Sequence, residues 1–163
     1  MKFYFILFYF LICVAGCTNY EQENNNFIPD RLKVFMNKYF NKYSYYYEDI
    51  NARGNHNYGE QYALFRISKD DLNQHEMEKI YNQLLEDGWR IIESNNKNYV
   101  SFCYGDNYSL DILFPLKKYE VTTTGVPIKF DDINSWNIFI YKSTTKIAEC
   151  NQNSKDFIDF KKL

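Results

Sequence analysis

The sequence predicts a two-layer α+β domain: an antiparallel β-meander of about five strands packed by one or two helices. Three observations lead there. Two stretches place apolar residues at alternating steps of three and one, the helical pattern. After Gly88 the apolar period shortens to that of a strand. Short polar turns then separate consecutive strands, which makes neighbours antiparallel.

The first helix is expected over 30–44. Leu32, Phe35, Met36, Tyr39, Phe40 and Tyr43 share one face, while Arg31, Lys33, Lys38 and Lys42 lie off it. Asp30 suits the N-cap and the positive end of the helix dipole. Tyr45-Tyr46-Tyr47 falls at or beyond the end, as a packed corner or a sticky patch. Residues 51–59 (NARGNHNYG) have loop chemistry and carry Arg53 and His56, which suit an acidic partner. Glu60 to Ile67 alternates as a strand.

The second helix, 73–87, is specified at both ends. Asn73 caps it, Glu76 reaches back, and Leu72 and Met77 have the spacing of a hydrophobic staple. Met77, Ile80, Tyr81, Leu84 and Leu85 form its apolar face. Gly88 provides the left-handed exit, with Trp89 folding back on Leu84. Three strands follow at 89–94, 98–104 and 108–114. Tyr108, Leu110, Ile112 and Phe114 face the helices, so Asp111 points the other way. Lys118 to Thr124 reads as an edge strand. Residues 125–134 read as a loop carrying Asp131 and Asp132. Trp136 to Tyr141 is the last strand, and Phe157, Ile158 and Phe160 a short helix or strap packing back.

Ahead of this domain, Lys2 precedes an unbroken apolar run from Phe3 to Val14. That run is too short for a permanent membrane span and suits the apolar centre of a signal peptide. Val14-Ala15-Gly16-Cys17 follows. The stretch resembles the bacterial lipoprotein signal and its lipobox, matching at every position. The resemblance implies diacylglycerol transfer to the Cys17 thiol, cleavage before Cys17, and acylation of the new amine. Acyl chains at roughly 0.8 kcal/mol per buried methylene make a stable anchor. The expected organisation is a signal peptide over 1–16, a lipidated polar tether over 17–27, and one domain over 28–163. Thr18, rather than Asp, after the cysteine favours the periplasmic face of an outer membrane in a two-membrane cell. The outer face of the cytoplasmic membrane is the alternative.

The address sorts the four cysteines. Cys13 leaves with the signal peptide and Cys17 is lipidated. Cys103 and Cys150 remain in an oxidising space, where a leftover pair is expected to form a disulfide. Two unpaired buried thiols are the competing reading. Such a bridge contributes roughly 4 kcal/mol in the chain-entropy model.

The remaining chemistry is sparse. Nineteen basic against 21 acidic residues leave no basic stripe for nucleic acid. Aromatic residues make up 20% of the chain, alongside many Asn, Lys and Ile. AT-rich codon usage explains that mixture, and an aromatic binding surface is the other explanation. No nucleophile elbow, P-loop, dinucleotide fingerprint or CxxC occurs, and the two histidines lack ligand spacing. No catalytic group, metal or cofactor is therefore expected.

The reading is a membrane-anchored exported lipoprotein acting as a non-enzymatic protein-binding or inhibitor (immunity-like) module in the envelope. Arg53, His56, Asp131 and Asp132 are its candidate partner-binding residues. An envelope structural or glycan- or lipid-binding lipoprotein is the alternative, and a small hydrolase the second. Cys17→Ala is expected to block processing and release the protein from membranes, which fractionation and an acyl-labelling assay will read. Unchanged membrane association would refute the anchor.

Overall fold

The computed structural model describes residues 28–50, 60–95, 98–121 and 127–151. The stretches expected to be a signal peptide and a tether, the expected loop with Arg53 and His56, and the expected helix or strap at 157–160 lie outside the described residues. The chain adopts the expected α+β architecture. Two helices cover one face of a six-stranded antiparallel sheet, and a two-stranded ribbon stands apart from it.

Helix α1 (Asp30–Tyr39) buries Leu32, Met36 and Tyr39. Pro29, not Asp30, occupies its N-cap, and no side chain caps it. The Pro29 carbonyl accepts from the Leu32 and Lys33 amides at 2.9 and 3.1 Å. Asp30 is instead the first helical residue, where its charge still meets the dipole. The helix stops at Tyr39 rather than running to 44. Phe40 leaves helical geometry, with φ −127° and ψ 19°, and is fully buried. Anchoring Phe40 in the core turns the chain, so the following tyrosines enter strand β1 (Tyr46–Asp49). Tyr47 points inward and Tyr46 outward, resolving the expected corner into an edge strand.

Strand β2 (Gln61–Ser68) leads to helix α2 (Gln74–Glu86). The capping box forms as expected: Asn73 accepts from the Glu76 amide at 3.0 Å, and Glu76 accepts from the Asn73 amide at 3.3 Å. At the other end Gly88 has φ +92°. The Trp89 amide donates to Leu84 and the Gly88 amide to Leu85, which completes a Schellman motif. Met77, Ile80 and Leu84 face the core. The α1 and α2 ends meet at Asp87, which pairs with Lys38 at 2.8 Å and accepts from the Tyr39 hydroxyl at 2.9 Å.

Strands β3 (Arg90–Asn95), β4 (Tyr99–Tyr104) and β5 (Tyr108–Leu113) form the expected meander. Two differences follow. Residues 119–121 and 127–129 pair as a hairpin, β6 (Tyr119–Val121) and β7 (Pro127–Lys129), so part of the expected 125–134 loop is a strand. Strand β8 (Ser135–Lys142) does not sit beside its sequence neighbour. It lies between β2 and β5, giving the order β1-β2-β8-β5-β4-β3. Its inward residues Trp136, Ile138 and Ile140 are strongly apolar, and burial on both sides offsets the entropy of that long connection.

The core lies between the helices and the inward residues of all six strands. Trp136 is its largest fully buried side chain. Its Nε1–H donates to the Leu72 carbonyl at 2.6 Å, just before α2 begins. Its ring lies 4.5 Å from that of Phe114. A second, smaller core sits on the opposite face of the sheet. Cys103 of β4 and Cys150 of a short 3-10 turn (Glu149–Asn151) are joined there, packed with Ile147, Ile92 and Tyr141. Their Cα atoms are 5.5 Å apart, within ordinary disulfide range. Arg90 reinforces the join by donating to the carbonyls of Gly105 and Cys150.

No helix among the described residues is long and apolar enough to cross a membrane. Trp136→Phe, which removes the indole donor and leaves a small void, is expected to cost about 2–4 kcal/mol in denaturant unfolding. The paired change Cys103→Ala and Cys150→Ala is expected to cost about 2–5 kcal/mol, with wild type falling by a similar amount on reduction. Equal stability with and without reductant would remove the disulfide from the account.

Candidate functional site: a cleft on the face opposite the helices

Strand alternation sends half of each strand to the face away from the helices. Cross-strand register there builds rungs. One rung runs Glu48, Leu64, Phe139, Asp111, Ser101, Glu93 from β1 to β3. The next runs Tyr46, Arg66, Asn137, Leu113, Tyr99. Leu64, Phe139, Asp111 and Glu93 of the first rung and Arg66, Asn137, Leu113 and Tyr99 of the second floor a cleft of about 580 Å³. The β6–β7 ribbon walls it with Glu120, Val121, Ile128 and Lys129, followed by Phe130 and Asp131. The strap carrying Ile147 and Cys150 covers the other end of the same sheet face.

The ribbon is held at its base by Lys69. Its ammonium donates to the carbonyls of Pro115 and Ile133 and lies 3.8 Å from the centroid of the Phe114 ring. Partial desolvation lowers the Lys69 pKa, while Glu120 and Asp132 oppose that shift. The Phe130 amide also donates to the Lys118 carbonyl, closing the ribbon.

Asp111 is the distinctive polar group. Its Oδ1 accepts from the Ser101 hydroxyl at 2.5 Å and from the Tyr99 hydroxyl at 3.4 Å. Burial pushes the Asp111 pKa above the ordinary carboxylate range, and the two hydroxyl donors only partly counter it. Among the described residues, the charged groups acting on it are Glu93 and Glu149, and both push the same way. Burial, with Asp111 nearby, raises the Tyr62 phenol and pushes Tyr99 up to about 12. Arg66 is already engaged, with Glu48 at 3.0 Å and the Tyr46 ring at 5.3 Å. Tyr62 meets Phe139 at a tilt and Tyr141 edge-on, with centroids 6.1 and 5.8 Å away.

The structure places the expected partner-binding residues unevenly. Asp131 is exposed on the cleft rim. Asp132 is committed to its own turn, accepting from the Asn134 amide at 2.7 Å and the Ser135 hydroxyl at 2.5 Å. Those donors lower its pKa, the Ser135 hydroxyl most. Arg53 and His56 lie outside the described residues. The groups that sequence reasoning missed are Tyr62, Tyr99, Asp111 and Phe139. Their signal was present: apolar residues recur at outward positions of β2 and β8, which a solvated face does not need. No group of three or more potential metal ligands occurs among the described residues. Comparison with protein-family models, curated proteins and solved structures found no match.

Asp111→Asn keeps the shape and the acceptor for Ser101 while removing the charge. A carboxyl raised in the folded state contributes its stability below the unfolded pKa and loses it as pH rises through the folded pKa. The variant is therefore expected to melt higher than wild type near neutral pH. The difference should close as pH falls below about 4, the ordinary aspartate value. A lower melting temperature at neutral pH would refute an uncompensated charge.

Proposed function

We propose that this chain is an exported, lipid-anchored envelope protein that acts as a non-enzymatic protein-binding or inhibitor module, docking its partner on the cleft face. The observation that carries the docking face is the cleft itself: an open, mixed aromatic and charged surface between a rigid sheet and a ribbon. Binding sites combine apolar area with a few placed polar groups, and this surface has both. The Cys103–Cys150 bridge is consistent with the oxidising compartment that the lipobox resemblance implies. Asp111 is engaged by hydroxyl donors that hold it in place, an arrangement suited to recognition. His75 is exposed on α2, across the sheet from the cleft, so it cannot serve this site as a base.

A second reading is a glycan- or lipid-binding envelope protein. The row of rings formed by Tyr62, Phe139 and Tyr141 favours it, because sugars stack on aromatic faces. Both tryptophans are buried, which leaves tyrosine and phenylalanine to do the stacking.

Site-specific photocrosslinking in intact cells separates the readings. A crosslinker at Ile128, in the ribbon wall, is expected to trap a discrete protein adduct. The same group at Val34, exposed on α1 across the sheet, is expected to trap none. Equal trapping at both positions, or none at Ile128, would overturn the docking face. An Ile128 adduct with oligosaccharide or lipid alone would favour the second reading.

A further inference from the structure

We infer that the cleft recognises a basic side chain of its protein partner, a guanidinium or ammonium group seated at the Asp111 carboxylate among the Tyr62, Tyr99 and Phe139 rings. The inference rests on the docking face proposed above and names what that face reads.

The geometry supplies one half of the argument. Phe139 lies directly across from Asp111 in the β5–β8 register, and Ser101 directly across in β4–β5. Both hydrogen bonds to the carboxylate reach Oδ1, and Oδ2 accepts none among the described residues. Asp111 is half-buried, and Oδ2 is not among the buried atoms left without a partner. That oxygen is therefore open to a group entering the cleft, where a cation would offset the cost of partial desolvation. The Tyr62, Tyr99 and Phe139 rings line the same cleft, and aromatic rings add attraction for a cation, most strongly where water is excluded.

Charge complementarity supplies the other half. Four acidic residues line the cleft, Glu93, Asp111, Glu120 and Asp131, against two basic ones, Arg66 and Lys129. Arg66 is paired with Glu48, outside the lining. Glu120 accepts from the Leu116 and Lys117 amides, so it shapes the ribbon. Glu149 of the C-terminal turn and Glu93 of β3 both act on Asp111 with negative charge. Among the described residues, the charged groups acting on Asp111 are carboxylates, and it lies at the floor of a cleft open to a partner. An arginine or lysine side chain has the length and stem to reach it while its methylenes pack on the rings.

The test is an NMR titration of the full-length chain in detergent micelles with a capped Gly-Gly-Arg-Gly-Gly peptide. Saturable shifts are expected at the Asp111, Leu113 and Phe139 amides. The same peptide with citrulline, which keeps the shape and loses the charge, is expected to bind at least about tenfold more weakly. Asp111→Asn is expected to weaken the arginine peptide by a similar factor, and Phe139→Leu by about fivefold. Equal binding of the citrulline peptide, or no saturable shift with arginine, overturns the inference. Methylguanidinium binding as tightly as the peptide overturns the assignment to a partner's side chain in favour of a free small cation. Crosslinking through Ile128 that persists while arginine has no effect would sink the charge recognition and leave the docking face standing.

Discussion

Strand β8 is the constraint on which the rest depends. Without it the sheet falls into two pieces, β1–β2 and β3–β4–β5, that share no ladder. Along its length it pairs with β2 from Ser135 to Lys142 and with β5 from Asn137 to Lys142. Trp136 then ties the strand to the start of α2 through the Leu72 carbonyl. The same strand builds both faces: Trp136, Ile138 and Ile140 fill the core, and Asn137 and Phe139 floor the cleft. A pairing slip of one residue would exchange those two sets, so the apolar set fixes the position of the cleft residues.

This arrangement explains what was legible in the sequence. Helix α2 was readable to within a residue because its signals are local: Asn73 with Glu76, and Gly88 with Trp89. The meander after Gly88 was readable because short turns force neighbours together. The central place of β8 was not, because strand order is a non-local property and nothing near Trp136 announces its neighbours. Strand β1 was hidden by a tyrosine run that continues the helical pattern, until burial of Phe40 ends α1. Asp111 was correctly turned away from the helices, but that face is not open solvent. The ribbon covers it, and half of that hairpin reads as loop chemistry with Pro127.

Electrostatics and architecture converge on the same place. The helix-facing side of the sheet is apolar and closed, while the other side carries both the second core and the cleft. Its two ends are stabilised differently: the strap end by the disulfide and Arg90, the ribbon end by the Lys69 ammonium on two carbonyls and a ring. Asp111 lies between them, in a setting that penalises its charge.

The Cys103–Cys150 bond also closes a covalent ring. The ring encloses β5, the ribbon and β8, and so most of the cleft. A protease that cuts the backbone anywhere within it, the ribbon tip included, opens one peptide bond but frees no fragment. The two new ends stay joined through sulfur, and the ladders on both sides of β8 hold the pieces in register. A nick there would thereby leave the cleft floor and its ribbon wall in place.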